Sequence, residues 1–369
     1  MHESPQGRRS RRWLPWAVLA GALVVGGVAG GAIVAATKSS ASTPASSGTS
    51  SASGQVSACD VTSVADKVLP SVVTISATGQ GGGGTGSGEL IRSDGYILTN
   101  NHVIAIAANG GSVQVQFSDG QTESATIRGR DPQTDLAVLK VTNTHNFPVI
   151  ALGSSSTVKV GEATVVLGAP LGLSGTVTSG IVSALDRTIQ VPAENDSTAL
   201  LVSAIQTDAS INPGNSGGAM VNCADQLVGV PTAGATVPTE SGESGGGSIG
   251  LGFAIPVDLA KTISDEIIAT GRVTHAYFGL QTVPVPPAAA AQAGVPEGLF
   301  VRAVLTGGPA AQAGLRAEDI ITKINGEAAT SNVQLQELTL TKKPGDKVPV
   351  EYWRNGHTAT TTVTLGTQP

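Results

Sequence analysis

The sequence predicts a mainly β protein, built as a sandwich or barrel. Three observations predict it. Short apolar and β-branched runs recur at close intervals, with turn residues between them. Glycine is abundant, at 48 residues, while aromatics make up only 3%; that composition favours short strands and turns over helix bundles. One stretch, Val257–Thr270, changes to a helical period. The 369 residues suffice for two or three domains, and a hydrophobic fraction of 40% supports a sizeable core.

The chain opens on a basic tail, Arg8-Arg9-Ser10-Arg11-Arg12. Trp16–Ala36 follows as an uncharged apolar run of 21 residues. A membrane-crossing helix needs about 20 residues. The positive flank leaves the N-terminus in the cytoplasm and the remainder outside. The expected organisation is a cytoplasmic tail at 1–12, a single-pass transmembrane helix at 13–36 and a flexible linker at 37–58. The linker is rich in Ser, Ala, Thr and Gly and builds no core. A cleaved signal peptide is the rival reading, but the run exceeds the usual apolar length of about 7–15 residues.

Strand signals begin after Cys59. Val72–Ile75 is β-branched, and Gly79–Gly88 reads as a glycine loop. That loop lacks the Lys-Ser/Thr end of a phosphate loop and no helix follows it, so nucleotide binding is not indicated. Asp94-Gly95 makes a hairpin turn between Leu90-Ile91 and Tyr96–Leu98. Val113–Phe117 alternates and turns at Asp119-Gly120. Leu136–Val141, Ala163–Leu167, Thr176–Ala184, Leu200–Ile205, Leu227–Val230 and Leu251–Ile255 follow as strands. In the helical stretch, Pro256, Ala260, Ile263, Ile267 and Ile268 share a face, Asp258 sits near the start and Gly271 ends it.

The chemistry gathers at Gly214-Asn215-Ser216-Gly217-Gly218. A serine hydroxyl is a poor nucleophile until a base takes its proton. The oxygen of an attacked carbonyl needs backbone N–H donors nearby, and glycines allow the backbone to approach it. A base and an orienter stand upstream, in Thr99-Asn100-Asn101-His102-Val103 and Thr134-Asp135-Leu136-Ala137-Val138-Leu139-Lys140. The order His, Asp, Ser is that of chymotrypsin-type enzymes. These three segments resemble the catalytic motifs of the HtrA/Deg family of serine proteases, and the likeness runs from about Val64 to the C-terminus.

The resemblance implies a double β-barrel chymotrypsin-like protease at 59–272 followed by a PDZ domain at 273–369. It implies that His102, Asp135 and Ser216 are catalytic, and that the N–H groups of Gly214, Asn215 and Ser216 form the oxyanion hole. It assigns Ser210, Ile211 and the loop Ile249, Gly250, Leu251 to the substrate pocket. No carboxylate lies in Ser210–Asn215, so an Arg or Lys side chain would be buried there unpaired; cleavage after small aliphatic residues is expected. A neutral imidazole is needed, so activity is expected to fall below about pH 6.5. Asn215 stands where many trypsin relatives carry an Asp that pairs with a freed N-terminal amine, so activation by that processing is not expected.

Tyr277-Phe278-Gly279-Leu280 resembles the carboxylate-binding loop of PDZ domains. Gly308–Leu315 and Asp319–Gly326 resemble later PDZ segments, although Ala317-Glu318 stands where the family often has Gly. A PDZ domain takes a peptide C-terminus as an added strand. Expected partners are therefore unfolded or C-terminally exposed proteins and peptides, and the membrane through the N-terminal helix. A homotrimer is what the family typically forms, but the aromatic residues often used for it are missing between Trp16 and Tyr96.

The two cysteines, Cys59 and Cys223, are expected to pair as a disulfide outside the cytoplasm, two unrelated thiols being the alternative. His2, His145, His275 and His357 belong to no motif and read as surface residues. No Cys/His cluster suggests a metal and no cofactor is implied. The net charge is −6. Five basic residues (Arg8, Arg9, Arg11, Arg12, Lys38) and one acid lie in the first 38 residues, so the body is more acidic still. It gives no electrostatic reason to bind nucleic acid. Two functions compete: an extracytoplasmic, membrane-anchored serine endopeptidase acting on envelope proteins, and a chaperone-like or PDZ peptide-binding protein with little turnover.

Overall fold

The computed structural model describes residues 59–142, 146–169, 175–192, 198–238 and 244–368. The expected tail, membrane helix and linker lie outside the described residues, as do His2 and His145. Among the described residues no helix is long and apolar enough to cross a membrane.

Helix α1 (Val61–Val68) is the first element of the described residues, with the Asp60 carboxylate accepting from Ser63 N–H at its N-terminus. The first barrel is β1 (Val72–Gly79), β2 (Gly82–Arg92), β3 (Tyr96–Asn100), β4 (Ser112–Gln116), β5 (Thr122–Asp131) and β6 (Leu136–Val141), closed in the order β1-β2-β3-β6-β5-β4. Helix α2 (Asn101–Ile104) follows β3. The expected glycine loop is instead strand: Gly82–Gly88 pairs residue for residue with Val73–Gly79. Glycines carry no alternation for sequence reading to detect, and the ladder needs only their backbone groups. Gly88 is required by close packing, since a Cβ there would meet Ile97 Cγ2 at 2.6 Å and Ile75 Cδ1 at 2.8 Å.

The second sheet contains β7 (Ala151–Leu152), β8 (Ala163–Gly168), β9 (Thr176–Pro192), β10 (Thr198–Thr207), β11 (Ala219–Val221), β12 (Gln226–Pro238) and β13 (Ser244–Pro256). Its order is β11-β8-β9-β10-β13-β12-β7, and β11 also pairs with β12, which closes a second ring. Strands β9, β12 and β13 run longer than the apolar runs that announce them, because polar and glycine residues continue the pairing. Helix α3 spans Val257–Thr270 as its period predicts and ends on Gly271 at φ 83°, the left-handed ending that glycine accepts most easily. It buries Ala260, Ile263 and Ile267 in a cluster with Leu98, Leu136 and Val138 of the first barrel and Ile255 of the second.

The third module is β14 (Ala276–Tyr277), β15 (Leu280–Val285), α4 (Pro287–Ala293), β16 (Gly298–Val304), α5 (Pro309–Gln312), β17 (Ile320–Ile324), β18 (Glu327–Ala328), α6 (Asn332–Thr341), β19 (Lys347–Arg354), β20 (His357–Thr364) and β21 (Gly366–Thr367). Its sheet runs β15-β16-β17-β19-β20, leaving β15 at an edge, while β14 pairs with β21. Ser331 and Gln334 form a capping box at the start of α6. Both barrels and this module lie in one compact unit. Val333 and Leu340 of α6 pack against Leu200 and Val202 of β10.

Candidate active site

The site lies between the barrels. The first supplies His102, from α2, and Asp135, from the turn between β5 and β6. Asp135 is 4% exposed and sits at φ 58°, a left-handed backbone that costs energy for a non-glycine residue. The surroundings hold it there. Its carbonyl accepts Asn101 N–H at 3.0 Å and Asn100 Nδ2 at 2.8 Å. Its carboxylate accepts the His102 backbone N–H at 3.0 Å and His102 Nδ1 at 2.8 Å. With Nδ1–H held by Asp135, Nε2 is the nitrogen left to take a proton.

The second barrel supplies Ser216, on the loop from β10 to β11. Gly214 has φ 100° and Gly217 φ 78°. A Cβ on Gly217 would meet Ser87 O and Thr99 Oγ1, both at 2.4 Å, so only glycine lets the loop approach the first barrel so closely. Ser87 N–H donates to the Ser216 carbonyl at 2.9 Å. Ser216 Oγ donates to the Thr232 carbonyl at 3.3 Å. It makes no hydrogen bond to His102.

Asn215 does not contribute a donor. Its N–H is committed to the Asn212 carbonyl at 3.0 Å, leaving Gly214 and Ser216, whose N–H groups have no partner among the described residues. Asn215 fills a structural position instead: it is 1% exposed and its Nδ2 donates to Ser210 O at 3.3 Å. Ile211 is 4% exposed and packs in the second-barrel core with Met220 and Val228. Ile249 and Leu251 are exposed beside Gly250, and Ser248 N–H on Asn212 Oδ1 at 3.0 Å ties their loop to the serine loop. Gly234 and Gly252 face Ile211, which keeps that region narrow and apolar.

Two contributors escape sequence reading. Thr232 Oγ1 donates to Asp135 Oδ2 at 2.5 Å while its carbonyl holds Ser216, so one residue of β12 touches both. Nothing in Val230-Pro231-Thr232 signals it. The arm of β9 brings Ile189, Val191 and Pro192 beside His102, Thr232 and Phe253 around a cleft of about 460 Å³.

Residues 86–230 match the trypsin-like peptidase domain family and residues 276–365 the PDZ domain family. The serine protease PepD of Mycobacterium tuberculosis is 42% identical over 83% of the chain and 66% of its own length. The periplasmic pH-dependent serine endoprotease DegQ of Escherichia coli is 41% identical, over 77% of the chain and 60% of its own length. The chain thus spans 60% and 66% of these two curated relatives. Among solved structures, the HtrA-type protease AlgW with a decapeptide is 32% identical over 84% of this chain and 99% of that one, with a TM-score of 0.66.

The chain belongs to the HtrA family.

In this HtrA chain Tyr277–Leu280 leads into the edge strand of the PDZ module. Phe278 is buried, Gly279 has φ 75°, and Leu280 begins the edge strand β15. The Phe278 and Gly279 carbonyls are engaged inside the module, accepting Ala310 N–H at 2.9 Å and Leu305 N–H at 2.8 Å. Asn332 Nδ2 donates to Thr282 O at 3.1 Å, joining β15 to the start of α6. Cys59 and Cys223 form a disulfide with Cα atoms 5.3 Å apart, stapling the entry segment to the turn after the nucleophile's strand. His357 is exposed as expected. His275 is not: it is 7% exposed and its Nε2 lies 2.9 Å from both carboxylate oxygens of Asp131. No sequence motif marks that pairing, because its partner lies 144 residues away.

Proposed function

We propose that this chain is a serine endopeptidase, anchored in the cell membrane by its N-terminal helix, with the catalytic domain outside the cytoplasm. One observation carries the chemistry: a buried Asp135 bonded to His102 Nδ1, opposite a serine in a glycine turn with two uncommitted N–H groups. Ser216 Oγ leaves the Thr232 carbonyl, gives its proton to His102 Nε2 and attacks the scissile carbonyl. Gly214 and Ser216 N–H groups receive the developing oxyanion. Asp135 stabilises the imidazolium, which then protonates the leaving amine. Water repeats the sequence to release the acyl group.

The narrow apolar region at Ile211 supports cleavage after Val or Ala. The edge strand β15 beside Tyr277–Leu280 supports capture of apolar C-termini, which would set the protease rate. Unfolded or C-terminally exposed envelope proteins are the substrate class we assign, and a homotrimer the assembly. Casein hydrolysis by the purified chain, absent in Ser216→Ala, is the expected result. The wild-type cleavage map should be dominated by small aliphatic residues; one dominated by Arg or Lys refutes the pocket assignment.

One observation favours a second reading, a chaperone-like peptide binder with little turnover: Ser216 Oγ is bonded to Thr232 rather than to His102. Under that reading casein stays intact with the wild-type chain, while aggregation of unfolded client protein is suppressed equally by wild type and Ser216→Ala.

A further inference from the structure

Successive residues of β2 point alternately into the first barrel and onto the seam with the second. Leu90 belongs to the first-barrel core, while Ser87 and Ile91 contact the second barrel. Glu89 therefore lies on the seam face, where it is fully buried. It stands opposite Val72 of β1 and Leu98 of β3, and both belong to apolar clusters shared with the second barrel. Strands β8 and β12 cover this face. Strands β1, β8, β11 and β12 carry no titratable side chain, and β3 adds only Tyr96. The cations at the end of the sheet are committed elsewhere: Arg92 to Asp265 at 3.1 Å, and Lys140 Nζ to the Val141 carbonyl at 3.1 Å. Neither Glu89 carboxyl oxygen has a partner among the described residues. An unpaired carboxylate in such a place costs far more than taking up a proton, so burial holds Glu89 as the neutral acid. A neutral acid carries one O–H donor.

Asn100 Oδ1 is also buried and has no partner among the described residues. Asn100 follows Leu98 by two residues on β3, so it shares the seam face and is the diagonal neighbour of Glu89. Long side chains reach across that diagonal, and one water bridges what remains. Asn100 Nδ2 donates to the Asp135 carbonyl at 2.8 Å, which fixes the end of the amide that faces Asp135. Asn100 is at the same time the residue before α2, where an asparagine oxygen ordinarily accepts a helix N–H. Here its side chain makes no such bond. The amide oxygen is therefore held away from the helix, and the Glu89 O–H is a buried donor on the same face.

We infer that Glu89 is a positioning residue: its O–H donates to one buried water, which donates to Asn100 Oδ1 and keeps that amide on the Asp135 carbonyl. Buried waters commonly serve polar groups that would otherwise be unpaired. Without the donor, Asn100 Oδ1 turns to cap α2 and Nδ2 leaves Asp135. The left-handed backbone of Asp135 then loses one of the two hydrogen bonds its carbonyl accepts, and such a backbone persists only where its surroundings over-determine it. The Asp135–His102 bond loosens with it. The consequence in turnover rests on the peptidase reading; the geometry does not.

The test uses the full chain with three readouts. The first is the wild-type minus Glu89→Gln infrared difference spectrum at neutral pH, which should show the carbonyl band of a protonated carboxylic acid. The second is the far-downfield proton resonance of the His102 Nδ1–H bonded to Asp135, which needs no turnover. The third is the rate at which a fluorophosphonate labels Ser216. Glu89→Leu removes the donor and keeps the bulk. It should weaken the resonance and slow labelling about tenfold, the loss of roughly one hydrogen bond, with a melting temperature no lower than that of wild type. Glu89→Gln, whose amide donates without ionising, should keep labelling within about twofold of wild type and retain the resonance. Asn100→Ala combined with Glu89→Leu should cost little more than the worse single change, because the two act through one contact. Carboxylate bands in place of the acid band overturn the inference, as do a wild-type resonance and labelling rate in Glu89→Leu, or additive effects in the double variant. A joint loss of stability and labelling in Glu89→Leu would mark a merely structural role and overturn it too. If Glu89→Leu does not fold, the infrared spectrum and Glu89→Gln still decide. A wild-type chain that shows the resonance but takes no label counts against the peptidase reading, and the resonance in Glu89→Leu still decides the role of Glu89.

Discussion

Ser87 Oγ, on β2 of the first barrel, donates to the carbonyl of Gly214 at 2.6 Å, across 127 residues of sequence. The same oxygen accepts Ala169 N–H at 2.8 Å. One hydroxyl therefore fixes the orientation of the Gly214–Asn215 peptide and joins the two barrels at the serine loop. Ser87→Ala leaves a buried carbonyl and a buried N–H unpaired, at about 1–3 kcal/mol. Fluorophosphonate labelling of Ser216 should slow markedly while peptide binding to the PDZ module is unchanged. Equal labelling by the variant would show that the loop holds its shape without this bond.

Thr232 joins Asp135 and Ser216 through two different atoms. Thr232→Val removes the hydroxyl and keeps the shape and the carbonyl. The Asp135 carboxylate then loses a charge-assisted bond, of the order of 1.5–3 kcal/mol. We expect kcat to fall about tenfold with KM little changed, and Thr232→Ser to recover most of it. A change confined to KM would assign Thr232 to substrate binding instead.

Glu89 is fully buried on the face of β2 between Ser87 and Ile91, and neither carboxyl oxygen has a partner among the described residues. Burial pushes its pKa well above the ordinary carboxylate value. The sign follows from linkage. Below about pH 4 the group is protonated in folded and unfolded states alike and has no effect. As pH rises through about 4.3 only the unfolded chain gives up its proton, so stability falls until the raised folded pKa is reached. Glu89→Gln cannot ionise, so its melting temperature should decline less than that of wild type between about pH 5 and 8. Parallel pH–stability curves would mean that Glu89 is ionised in the fold.

Asp319 is fully buried, and Arg354 grips it with Nε on Oδ1 and Nη2 on Oδ2. The Arg354 side chain is itself 27% exposed, so breaking the pair should cost less than a wholly buried one, about 2–4 kcal/mol. Arg354→Ala should lower the melting temperature of the PDZ module and speed its limited proteolysis without changing the protease barrels. Arg354→Lys should rescue only part, because an ammonium does not reproduce the two-pronged contact. Unchanged proteolysis of the module would remove this pair from its stability.

The Cys59–Cys223 bridge closes a loop with a sequence separation of 164 residues. In the chain-entropy model such a loop contributes on the order of 4–5 kcal/mol, less any strain. Cys59→Ser should lower the melting temperature by several degrees while labelling of Ser216 continues at the folding-competent temperature. Equal melting temperatures with and without reductant would count against it.

Much of this protein is written locally. Three short motifs mark the candidate nucleophile, base and orienter, because each role needs particular neighbours: glycines around Ser216, a strand end before His102, a turn before Asp135. The helix at Val257–Thr270 is legible because its apolar period and terminal glycine are properties of one continuous segment. The glycine half of β2 was not legible, since backbone pairing leaves no mark on side chains that do not exist.

What only the tertiary structure decides is what depends on distant partners. The sequence determines that a serine, a histidine and an aspartate of the right kinds are present. It does not determine that Asn215 gives its N–H to Asn212, that Thr232 bridges the site, or that His275 is buried against Asp131. Each is a contact between segments brought together by barrel closure or by docking of the PDZ module, with no residue spacing to announce it. Hydrogen bonding is short-ranged and directional, so the use of a buried donor is settled only when the fold presents its acceptor.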